Sequence, residues 1–107
     1  MLQGSYTPES WKNQLSNPKS RVKQVRAMAK DSEVEIKEFW YAFGESDFFI
    51  LCDATNNQAM ASFAIAAATR QSVSDVTTTV LMSADEGLSA IHGAATITSQ
   101  ASWIDNQ

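Results

Sequence analysis

The run VEIKEFWYAFGESDFFILCD, residues 34–53, decides the fold. Its two halves are rich in β-branched and aromatic residues, whose shapes suit a pleated, half-buried surface. Gly44-Glu45-Ser46 between them predicts a three-residue hairpin connection. Both parities of the hairpin are apolar. Val34, Ile36, Trp40 and Ala42 alternate with Phe39, Tyr41 and Phe43, and Phe48, Ile50 and Cys52 alternate with Phe49 and Leu51. A hairpin with one wet face would carry polar residues on one parity, so both faces are expected to be covered. Pairing Phe43 with Asp47 sets Tyr41 opposite Phe49 and Phe39 opposite Leu51. It also sets Lys37 opposite Asp53 as a cross-strand ion pair.

Upstream, Leu2 to Tyr6 is short and weakly strand-like. Thr7-Pro8-Glu9 then starts a helix, with threonine to cap free amides, proline in the first turn and glutamate at the positive end of the dipole. Asn17-Pro18 repeats the signal, which predicts a short helix over 8–16, a break, and a longer helix over 18–30. Trp11, Leu15, Val22, Val25 and Ala29 fall on one helical face. Beside them runs a basic stripe that includes Lys12, Lys19, Lys23, Arg26 and Lys30, with no acid between positions 12 and 30. Such a stripe is either a site for an anionic partner or the solvated back of an amphipathic helix. The acidic remainder of the chain favours the second.

Downstream, Asn56 caps a helix expected over 57–70, whose many alanines let it lie close on a sheet. Val76 to Met82 is threonine- and valine-rich and predicts a strand. Ser83-Ala84-Asp85-Glu86 has the spacing of a capping box, and Gly93 is placed to end the short helix that follows. Ala94 to Gln107 is polar apart from Ile97 and Trp103-Ile104, and that pair is expected to dock the tail on its own subunit or a neighbour. The chain divides at this level into a domain over 1–92 and a tail over 93–107.

The order strand, helix, strand, strand, helix, strand predicts an α+β, ferredoxin-like βαββαβ domain. It would have an antiparallel four-stranded sheet, with a C-terminal helix and tail added. Helices in this arrangement cover one face of the sheet. With both parities of the hairpin apolar, the simplest cover for the other face is a second copy of the chain, packed sheet to sheet in a homodimer or a larger even-numbered oligomer.

At 107 residues the chain is one domain, and 44% apolar with 19% charged residues describes a folded protein. Net charge is −4, from 12 acids against 8 bases, which argues against a general nucleic-acid binder. Cys52 is the single cysteine, so the chain can form neither an internal disulfide nor a thiolate metal cluster. No run has signal-peptide or membrane-span length, and a reducing, cytoplasmic setting without membrane association is expected.

The residues Tyr6-Thr7-Pro8-Glu9-Ser10-Trp11, then Asn17-Pro18, then the Phe39 to Asp53 hairpin with Gly44-Glu45-Ser46-Asp47 at its turn, resemble the GYD-domain proteins. The resemblance covers roughly positions 3 to 91. It implies a dimeric α-β barrel, a superfamily that spans cofactor-independent monooxygenases, isomerases, haem enzymes and non-catalytic binders. Gly44 and Asp47 match the family motif, whereas Ser46 stands where the family has tyrosine.

The chemistry offered by the residues is sparse. The glycines at 4, 44, 87 and 93 form no phosphate loop, and His92, the only histidine, cannot make a zinc pair. No cofactor or metal is expected. His92 before Gly93 fits a helix C-terminus. Asp47 suits backbone amides of the turn; in an apolar cavity it could instead serve as a base. Trp40, Tyr41 and Phe49 are core or interface residues by size, or the lining of a pocket for a small apolar ligand. The expected role is a homo-oligomeric assembly unit or small apolar-ligand binder. The alternatives are a cofactor-independent monooxygenase or isomerase using Tyr41, Asp47 or His92, and an anion or nucleic-acid binder using Lys12, Lys19, Lys23 and Arg26.

Overall fold

The computed structural model describes the backbone of residues 1–105 and the side chains of residues 1–100. One four-stranded antiparallel sheet runs in the order β2-β3-β1-β4, from β1 (Leu2–Tyr6), β2 (Val34–Tyr41), β3 (Phe48–Ala54) and β4 (Val73–Thr78). Between the strands lie α1 (Pro8–Ser16), α2 (Arg21–Ala29) and α3 (Asn57–Ala68), and α4 (Ala84–Asp105) follows β4. The architecture is α+β and compatible with the ferredoxin-like arrangement. The weakly strand-like first residues form a central strand, because they are flanked on both sides.

The core lies on one face of the sheet. Leu2, Tyr6, Val34, Ile36, Phe48 and Ile50 point to it from the strands, and Ala29, Phe63 and Ala67 close it from α2 and α3. Fully burying a side chain of the Leu or Phe class contributes about 1.5–3 kcal/mol, so this cluster dominates stability. Alanine at 67 lets α3 sit close to the strands, as its composition predicts.

The hairpin differs from expectation in register and in turn. Tyr41 pairs with Phe48, Trp40 with Phe49 and Phe39 with Ile50, then a bulge falls between Ile36 and Glu38, and Glu35 pairs with Asp53. The extra residue is Lys37, which meets Glu35 at 3.1 Å rather than Asp53. A bulge moves every later side chain to the other face. Val34, Ile36, Phe39 and Tyr41 therefore share the helix side, where Phe39 contacts both Tyr41 and Phe48. The apparent apolarity of both parities in β2 is thus largely one face seen through a shift of frame. On the outer face only Trp40, Phe49 and Leu51 remain apolar, among Gln3, Glu35, Glu38 and Asp53.

The connection spans Ala42 to Asp47 rather than three residues, closed by the Ala42 N–H donating to the Asp47 carbonyl at 2.8 Å. It folds back on β1. The Asp47 N–H donates to the Gly4 carbonyl at 2.8 Å, and the Gln3 side-chain amide donates to Ser46 Oγ at 3.0 Å.

Three further boundaries shift. The second helix begins at Arg21 because Ser20, not Asn17, is the cap, accepting from the Lys23 N–H. The break at 17–20 uncouples the two helical faces: Leu15 is 81% exposed, and Ser10 is the residue α1 buries. The last strand covers Val73–Thr78, with Val80, Leu81 and Met82 beyond it exposed. Finally, Gly93 ends nothing. Ser83 Oγ accepts from the Glu86 N–H at 3.1 Å as expected, but α4 runs 22 residues through Gly93 to Asp105. His92 is consequently mid-helix.

Candidate functional site

The strongest candidate is the cleft between α2, α3 and the sheet, centred on Tyr6. β1 aims Leu2, Gly4 and Tyr6 at the helices by alternation. The Tyr6 ring meets Trp11 edge-on with centroids 5.1 Å apart, and it meets Phe48 at 5.0 Å. The Arg21 guanidinium lies over the same ring at 5.6 Å, a cation–π placement. Leu2, Val25, Met28, Phe39, Ile50 and Val73 complete an apolar cavity of about 70 Å³, with Arg21, Gln24 and Arg70 also on its lining.

Two features of the cavity bear on chemistry. Burial first, then the neighbouring Tyr41 phenol, drives the Tyr6 hydroxyl well above the ordinary tyrosine range. Arg21 opposes that rise and Asp47 adds to it. Tyr6 therefore stays protonated at neutral pH and is a poor base. The second feature is Arg21. One terminal nitrogen donates to Gln24 Oε1 at 2.9 Å, while its Nε is buried with no hydrogen-bond partner among the described residues. A buried donor left unmade costs about 1–3 kcal/mol, which a ligand carrying an acceptor would recover.

A second, shallower cleft of about 530 Å³ lies at the hairpin turn, lined by Trp11, Gln14, Tyr41, Phe43 and Asp47. Here Tyr41 and Asp47 do come together. One Asp47 carboxylate oxygen accepts the Tyr6 backbone N–H at 2.8 Å. The amide that it holds belongs to the central strand rather than the turn.

The other sequence candidates are dispersed. Trp40 and Phe49 face each other across β2 and β3 on the outer face of the sheet, apart from Tyr41. His92 lies exposed on α4 and lines neither of these clefts. Lys12, Lys23 and Arg26 lie exposed on α1 and α2 and Lys19 lies exposed in the break between them; among the described residues none makes an ion pair. No group of three or more His, Cys, Asp or Glu among the described residues could hold a metal ion.

Sequence reasoning passed over Tyr6 and Arg21. Tyr6 sits in a strand too short to show its alternation. Arg21 had a usable signal, since a cation in the first turn of a helix opposes the dipole and needs another reason to be there.

The fold and cleft define a class: a small α+β scaffold with helices on one face of its sheet and an apolar cleft between the layers. The GYD domain family matches residues 1–91, and the chain belongs to it. No curated protein and no solved structure matches the chain.

Proposed function

We propose that this GYD-domain protein is a homo-oligomeric unit without catalytic machinery of its own, and that it holds a small apolar ligand carrying an acceptor or anionic group. The observation that carries this reading is the buried Arg21 Nε, without a hydrogen-bond partner among the described residues, beside a largely apolar cavity. Specific pockets combine apolar walls with a few placed polar groups, and this one has that composition. At about 70 Å³ the cavity suits a short aliphatic group rather than a large ring. The engaged Asp47 carboxylate and the protonated Tyr6 support binding over acid–base chemistry. The outward Trp40, Phe49 and Leu51 support self-association, and the lone half-buried Cys52 fits a reducing, cytoplasmic setting.

Calorimetric titration with the straight-chain carboxylates from acetate to octanoate tests the ligand class. Affinity should rise by up to about 0.8 kcal/mol per methylene while the cavity fills, then level off. Arg21→Gln should weaken every member of the series about tenfold, in line with loss of a charge-assisted hydrogen bond. Absence of binding across the series, or equal binding to the variant, refutes the proposal.

A further inference from the structure

Among the described residues, α4 carries an unmet apolar surface of its own, apart from the one on the sheet. Among the described residues α4 is exposed throughout but for Gly87, with Leu88 at 54%, Ile91 at 66% and Ile97 at 67%. From Gly87 to Ile104 the sequence has no Asp, Glu, Lys or Arg. Its apolar residues are nonetheless ordered. Ala84, Leu88, Ile91 and Ala95 recur at spacings of 4, 3 and 4, and Gly87, Ala90, Ala94 and Ile97 run alongside at 3, 4 and 3. Together they cover about half the circumference of the helix, with Ser89, His92, Thr96 and Ser99 opposite. A long helix with charges only at its ends and one apolar face draws most of its stability from something packed on that face.

The dimensions state how much is missing. A compact monomer of 11.7 kDa has an accessible surface of about 5,900 Å², whereas this chain has 7887 Å². Its radius of gyration is 18.8 Å against about 13 Å for a compact domain of this length. The surplus of about 2,000 Å² per chain, doubled, falls in the range of obligate dimer interfaces.

A receiving surface lies at the root of the helix. A groove of about 790 Å³ is lined by Met60, Ala61, Ala64 and Ile65 of α3, and it continues onto the chain that leads into α4 through Leu81 and Met82. Alanines on α3 allow a second helix to approach closely, and Ile65 is 66% exposed there. The helix leaves its own body at this groove, giving the chain a 65 Å long axis. A second copy related by a two-fold axis near the root would lay its helix along the vacant groove, and the reverse exchange would follow by symmetry.

We infer that α4 is an exchange arm, and that its Leu88-Ile91-Ala95 face seats in the α3 groove of a second copy of this chain. A membrane surface fits less well, because interfacial helices draw on basic residues and this arm has none. The inference rests on the homo-oligomeric part of the proposed function but not on the ligand.

Cross-linking in the full-length chain tests it. In a Cys52→Ala background, one population carries Ile91→Cys and another carries Ala61→Cys, Ala64→Cys or Ile65→Cys; the two are mixed and oxidised. A mixed disulfide dimer at one or more groove positions, together with an about 100-fold weaker dimer in Ile91→Glu by light scattering, is the expected result. Thermal unfolding of dilute Ile91→Glu should retain a cooperative transition, since the residue is exposed in the single chain. A dimer that forms no such disulfide and ignores Ile91→Glu overturns the arm while leaving self-association intact. A monomer at micromolar concentration overturns both. Sedimentation of the protein with anionic phospholipid vesicles, lost in Ile91→Glu, would reassign the arm to a membrane and also overturn the inference.

Discussion

Gly4 shows how tightly the central strand is committed. A Cβ built there would lie 2.8 Å from Cζ of Phe48 and 3.3 Å from the Ser74 carbonyl oxygen. The Phe48 ring is wedged between Tyr6 and Phe39 and cannot simply swing aside. Gly4→Ala should therefore destabilise by about 1–3 kcal/mol, read from urea midpoints at constant slope. Opposite Gly4, Asp75 in β4 adopts φ 52°, the left-handed conformation that suits glycine. Asp75→Gly should be neutral or stabilise by up to about 1 kcal/mol by the same measurement. Tyr6 and Cys52 set the alkaline limit. Burial raises both in the folded chain, so the unfolded chain loses its protons first, near the ordinary values of about 8.5 for cysteine and 10 for tyrosine. Stability should be intact below about pH 8.5 and fall as pH rises from there past about 10. The combined Tyr6→Phe, Cys52→Ala protein should lose most of that slope in melts across the range.

At the level of elements, three of the N-caps were legible and the strand frames were not. Thr7, Asn56 and Ser83 accept the N–H groups expected of them, because capping is decided within a few residues. Asn56→Ala should cost about 1 kcal/mol in thermal or urea unfolding. A bulge leaves no local mark: Lys37 looks like any outward residue, and the register depends on which core position Phe39 can reach. Deletion provides the test. Without Lys37 the strand alternates regularly from Ile36 through Glu38 to Phe39, so the deletion should stay within about 1.5 kcal/mol of the parent. Deleting Trp40 instead would turn Tyr41 away from Phe48 and should cost more. The Tyr6 cleft was illegible for a related reason, since its walls come from β1, α2 and α3 and meet only after the sheet forms. Length defeated the reading of α4, where Gly93 counts little against the turns on either side.

For the whole molecule, the apolar surface left exposed is divided between the outer sheet face and the arm. The outer sheet face, once the bulge is counted, holds three apolar residues; the arm holds a continuous stripe. Because no formal charge lies between Gly87 and Ile104, association through the arm should respond weakly to salt. The dimer dissociation constant should change by less than about threefold between roughly 0.05 and 0.5 M sodium chloride. A fall of tenfold or more in affinity would point to the basic helices instead.

The placement of β1 also bears on how the chain comes off the ribosome. Its first strand is flanked by β3 and β4, so Leu2 waits for Ile50 on one side and Thr78 on the other. Contacts so distant in sequence slow folding, and neither edge of β1 can be sealed locally in the meantime. Until Thr78 has cleared the exit tunnel, the nascent chain presents an open strand edge, the surface most prone to wrong pairing. The stretch between β4 and the arm is then the point at which synthesis passes from an aggregation hazard to a closed sheet.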